Sequence, residues 1–136
     1  MTESIYSMFE SDVDAEKKGR WLPYGKCEFL VARAGGTNDA FAKAMTKVMR
    51  PHARRFKLGT IDAKEANALA LGPFVDTVLL GWKNVFNKDG SELPYSKENA
   101  QKLLTDIPDL YAQLMEDAQN IATFAPEDVE DITKNL

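Results

Sequence analysis

The chain has 136 residues, with 17 Lys and Arg against 21 Asp and Glu, a net charge of -4 and an isoelectric point near 5.0. That is one ordinary domain, long enough to bury roughly two thirds of the surface its unfolded form exposes. The single cysteine, Cys27, excludes an intramolecular disulfide and points to a reducing cytoplasm, and no apolar run reaches the length of a bilayer span.

Residues 1–15 form an acidic leader that lacks the basic-then-apolar order of a signal peptide. A single globular domain is expected over 16–124 and an acidic tail over 125–136. Charge is segregated: Glu3, Glu10, Asp12, Asp14 and Glu16 are all negative, whereas Lys43, Lys47, Arg50, Arg54, Arg55 and Lys57 run without an acid between them. Such a molecule suits copies of itself or an acidic partner.

After the leader, GRWLPYGKCEFLVARAGG predicts a β-hairpin, with a strand near Arg20 to Leu22, a turn at Pro23-Tyr24-Gly25 and a strand from Cys27 to Ala32. Period two puts Cys27, Phe29 and Val31 on one side, so Cys27 reads as a small buried apolar group. Thr37 or Asn38 caps the next helix, where Phe41, Ala44, Met45, Val48 and Met49 form an amphipathic stripe that Pro51 ends or bends. Another helical turn or two is expected before Gly59.

Asp62 with Glu65 is a capping-box-like start for a central helix running through Val78 and Leu79, with a kink or break expected near Gly72-Pro73. In GWKNVFNKDGSELPYSKENAQKLL, Gly90 takes the sixth position of an EF-hand loop only if Val85 and Ser96 supply its end ligands, and neither has a carboxylate. The stretch reads instead as an Asp-Gly turn between two short extended or irregular pieces, with Ser96 capping a helix whose apolar positions are Ala100, Leu103, Leu104 and Ile107. Pro108 opens a last long helix with Tyr111, Leu114, Met115, Ala118, Ile121 and Ala122 on one stripe. In the tail, Val129, Ile132 and Leu136 keep helical spacing. The fold expected is α+β, predominantly helical with four to five helices and an N-terminal β-hairpin.

Little points to catalysis. His52, the single histidine, sits among arginines that discourage a metal, and Gly35-Gly36 lacks the lysine and spacing of a phosphate loop. No cofactor, metal or catalytic residue is assigned, and the chain is read as a non-enzyme. The arginines admit a nucleic-acid reading, opposed by the acidic ends and the low isoelectric point.

Two stretches together resemble the tail assembly chaperones of long-tailed bacteriophages. One carries Glu16, Gly19, Trp21, Phe29, Arg33, Asn38, Phe41 and Arg50-Pro51. The other carries Trp82, Asp89-Gly90, Pro94-Tyr95-Ser96, Glu98-Asn99-Ala100 and Pro108. The resemblance covers about Met8 to Phe124, and the order of the motifs carries it. It implies a non-structural protein of the host bacterial cytoplasm, absent from the mature virion. Several copies coat the tape-measure protein, keep it soluble and hand it to tail-tube protein. It also implies a homo-oligomer that co-assembles with a frameshift-extended form, and Thr133-Lys134-Asn135 is compatible with a slippery A-AAA-AAC run.

Candidate protein-binding residues are Met45, Met49, Arg50, Arg54, Arg55, Tyr111 and Met115. The competing reading makes the apolar ones core, because a stripe at helical spacing usually faces inward. Oligomers stacked by acidic ends against the basic helix would build a sheath. The alternative function is a small cytoplasmic regulatory or adaptor protein that binds nucleic acid or an acidic partner through its basic helix.

Overall fold

The computed structural model describes residues 4–127. Ser4 opens a one-turn helix α1 (Ile5–Met8) by accepting the Ser7 N–H, and Asp12 opens α2 (Val13–Lys18) by accepting that of Ala15. The hairpin follows as β1 (Arg20–Tyr24) and β2 (Cys27–Val31), antiparallel with Tyr24 opposite Cys27. Its turn is therefore Gly25-Lys26, later than expected, with Gly25 at φ +65°. Pro23 lies inside β1, which is tolerated because β1 is the sheet edge.

The expected hairpin is two thirds of a larger sheet. Leu79–Lys83 forms β3, antiparallel to β2, in the order β1-β2-β3, with an irregularity at Leu30/Val31. The expected helix through Val78 and Leu79 stops at Thr77, whose hydroxyl donates back to the Pro73 carbonyl at 2.7 Å. Val78, Leu79 and Leu80 are an apolar run that fits a buried strand as well as a buried helix, and pairing with β2 decides the outcome.

Between them lie α3 (Asp39–Met49), a 3-10 turn at Arg50–His52, α4 (Ala53–Lys57) and α5 (Ala63–Thr77). Asp62 caps α5 through the Glu65 N–H at 2.8 Å. The helix passes Pro73 without the expected break, because Pro73, Phe74 and Val75 are fully buried. Their packing offsets a cost of about 3 kcal/mol for proline inside a helix. Ser96 caps α6 (Lys97–Asp106) through the Asn99 N–H at 3.0 Å, and Pro108 begins α7 (Pro108–Gln119). Helix α7 ends before the expected Ile121 and Ala122. There the Asn120 side chain caps a 3-10 turn, Ile121–Phe124, that buries Phe124 completely.

The core lies between the Phe29–Val31 face of the sheet and the inner sides of α5, α6 and α7, where Phe74, Val75, Val78, Leu104, Leu114 and Ala118 meet Leu79 and Trp82. Tyr24, Phe29, Trp82 and Tyr95 stack edge-on through it, at centroid spacings of 5.3, 6.1 and 5.1 Å. Trp82 Nε1 donates to the Leu93 carbonyl (2.8 Å), and the Tyr95 hydroxyl to that of Leu79 (2.7 Å). Cys27 is half-buried instead of buried, with Sγ 3.1 Å from the Asn84 carbonyl.

Asn87-Lys88-Asp89-Gly90 is the expected corner. The Asp89 carboxylate accepts the Ser91 N–H (2.9 Å) and hydroxyl (2.6 Å), Gly90 sits at φ +88°, and Phe86 bridges Glu92. Those bonds, with Ser91 foremost, hold the Asp89 carboxyl below its ordinary range.

A buried polar knot fastens the leader to the domain. Glu16, only 1 % exposed, accepts from Arg33 Nη1 (2.5 Å), Thr37 Oγ1 (2.9 Å) and Ser11 Oγ (3.0 Å). Asn38 does not cap α3 with its side chain; its amide is buried and donates to the carbonyls of Arg33 (2.8 Å) and Thr77 (3.1 Å). At the other end, Asp12 N–H donates to the Phe124 carbonyl (2.7 Å), and Arg20 Nη1 to those of Thr123 (3.0 Å) and Ala125 (2.7 Å). The expected tail stripe of Val129, Ile132 and Leu136, and Thr133-Lys134-Asn135, lie outside the described residues. No helix among the described residues is long and apolar enough to cross a membrane.

Candidate functional site

Helix α5 is apolar nearly all round and therefore has two apolar sides to cover. Ala70, Phe74 and Val75 face the core, while Lys64, Asn67, Ala68 and Leu71 face α7 across a gap. On α7, Leu114 and Ala118 are buried and Tyr111, Ala112 and Met115 line the opposite wall, with Leu104 and Pro108 between. The result is an open groove of about 500 Å³, apolar along its walls and polar at its rim.

Tyr111 spans the gap. Its ring lies 5.3 Å from that of Phe74, and its hydroxyl donates to the Asn67 carbonyl at 3.1 Å. Burial pushes the Tyr111 phenol up to about 12, so it remains a neutral donor across the physiological range. The groove is thus braced at one point and open elsewhere.

A second surface runs over α3, the 3-10 turn and α4, none of which has a fully buried residue. Met45, Met49, Ala53 and Phe56 form a shallow depression of about 570 Å³ with Thr46 and Arg50 at its edge. Lys43, Lys47 and Arg50 border its neighbour. None of Lys43, Lys47, Arg50 or Arg54 makes an ion pair among the described residues.

The seven sequence-predicted residues therefore do not form one site. Tyr111 and Met115 line the α5–α7 groove, Met45, Met49 and Arg50 share the α3–α4 surface, and Arg54 is exposed outside both depressions. Arg55 is occupied: its guanidinium grips both Glu65 oxygens (2.5 and 2.8 Å) and the Thr60 carbonyl (3.3 Å). That fork holds the Glu65 carboxyl below its ordinary range and explains why Glu65 does not complete a capping box.

Sequence reasoning missed Leu71 and Phe56. Leu71 falls off the α5 stripe read from the sequence; it is partly buried against the core and also lines the groove. Phe56, 38 % exposed, sits alone among basic residues where no periodicity marks it. Among the described residues no group of three metal-ligating side chains occurs, and no buried side-chain nitrogen or oxygen lacks a partner.

Both surfaces lie within residues 36–135, the part of the chain matched by the model of a family described as YdaY prophage protein. No curated protein and no solved structure matches the chain. The match spans well over half of the sequence, and the chain belongs to the YdaY prophage protein family.

Proposed function

We propose that this prophage protein is a tail assembly chaperone, which covers the apolar stripe of a tape-measure protein until tail-tube subunits polymerise around it. The observation that carries the reading is the open groove between α5 and α7, walled by Ala68, Leu71, Tyr111 and Met115. An amphipathic client helix presents apolar side chains at i, i+3, i+4 and i+7, which an apolar groove receives, and a methionine wall adapts to varied ones. Membership of a prophage family and the order of the sequence motifs support the phage setting of this reading.

Co-expression with the tape-measure protein tests it. The wild-type chain raises the soluble fraction of the client, and Leu71→Glu or Met115→Glu abolishes that gain while the chaperone itself stays folded. A client equally soluble without the chaperone ends the proposal.

The cations of α3 and the 3-10 turn, which make no ion pair among the described residues, favour a second reading, an adaptor for nucleic acid or an acidic partner. A duplex-binding titration at moderate salt is expected to be blank, and saturable binding lost in Arg50→Glu turns the choice toward it.

A further inference from the structure

We infer that the N-terminal segment around α1 of one copy docks on the α3–α4 surface of a second copy. Ile5, Met8 and Phe9 fall at i, i+3 and i+4, so they share one side of the one-turn helix, with Tyr6 beside them. All four are open to solvent, at 61, 55, 62 and 87 % exposure. A single turn is too short to persist on its own propensity, and an apolar side that covers nothing has no reason in the isolated chain.

The two surfaces are complementary in charge as well as apolarity. Asp12 and Asp14 are engaged by Arg20 (3.4 Å) and Lys18 (3.3 Å), whereas Glu10, next to Phe9, makes no ion pair among the described residues. On the receiving surface Arg50, next to Met49, likewise makes no ion pair among the described residues, with Lys43, Lys47 and Arg54 around it. A negative charge beside an apolar turn thus meets positive charges beside an apolar depression. Among the described residues nothing covers either surface, and a second copy supplies the segment that fills the depression.

Segment and depression are different patches of the molecule. Copies then join either reciprocally, as a closed dimer, or head to tail, as a ring or an open chain. The inference goes beyond the client reading and does not rest on it, because self-association is measured with no client present.

Sedimentation velocity on the purified full chain over a dilution series tests it. Average size grows with concentration, and added salt weakens the association. Tyr6→Ala with Phe9→Ala weakens it about tenfold or more, the effect expected for aromatic anchors. Glu10→Arg or Arg50→Glu alone does likewise, whereas an equimolar mixture of these two variants restores assembly, because each offers what the other lacks. A synthetic peptide of residues 4–13 in excess disperses the wild-type assemblies, which keeps the test independent of any variant's folding. A monomer at all concentrations, variants that assemble like wild type, or a mixture that stays dispersed overturns the inference. So does Arg50→Glu losing duplex binding with self-association intact.

Discussion

Arg33 Nη1 lies 2.5 Å from the Glu16 carboxylate, joining the second helix to the loop that leads into α3, with the acid almost wholly enclosed. Removing one partner strands the other charge, so Glu16→Ala is expected to cost about 3 kcal/mol or more in urea unfolding. Glu16→Gln, which keeps the shape, costs less.

The same carboxylate sets an acid limit. Burial alone raises its pKa, but the bonds from Arg33, Thr37 and Ser11 outweigh it and hold the group below 4.5. A depressed folded-state pKa contributes stability that is complete above the unfolded value and disappears as pH falls through the folded one. Unfolding free energy is therefore expected to fall below about pH 4.5, and the fall is shallower in Glu16→Gln. Identical acid slopes in the two proteins would refute this assignment.

Gly36 and Gly25 make a controlled pair. Both have positive φ, +54° and +65°, but a Cβ at Gly36 would sit 2.6 Å from Glu16 Oε1 and 2.7 Å from Arg33 Cδ, while Gly25 faces open space. Gly25→Ala is expected to cost about 1 kcal/mol, the backbone term alone, and Gly36→Ala clearly more. Thermal melts of the two variants give the comparison, and equal losses would contradict it.

Tyr111→Phe removes one hydrogen bond to Asn67 and keeps the ring against Phe74, so it costs about 1 kcal/mol. Tyr111→Ala removes the brace of the groove and costs about 2 kcal/mol or more. If the groove receives a client, the first substitution retains the client's solubility and the second does not.

Calcium is expected to leave the melting temperature unchanged. The Asp89 carboxylate is already occupied by Ser91, and no acid stands at Val85 or Ser96. A calcium-dependent rise of several degrees would show a site that the turn does not contain.

Much of this architecture was legible in the residues. The caps at Asp62 and Ser96, the helix start at Pro108, the Asp-Gly corner and the Phe29–Val31 side of β2 follow from local chemistry that the fold retains. Strand β3 was not legible, because the short apolar run Val78-Leu79-Leu80 fits a helix and a strand equally well. Asn38 misled for a related reason: a cap residue and a buried amide look alike until its partners, here Arg33 and Thr77, are in place. Of the candidate residues, the helical stripes that carry Met45 with Met49 and Tyr111 with Met115 were legible, and Tyr111 and Met115 also pack against the core, as the competing reading held. The separation of the two pairs onto two surfaces was not legible, since that depends on how α3 and α7 flank α5.

Because Asp12 and Arg20 clasp the backbone at 123–125, the first and last described segments lie side by side. Chain order is then incidental to the packing. A circular permutant opened in the exposed Asn87–Ser91 corner, with residues 4 and 127 joined by a flexible linker, keeps every core neighbour.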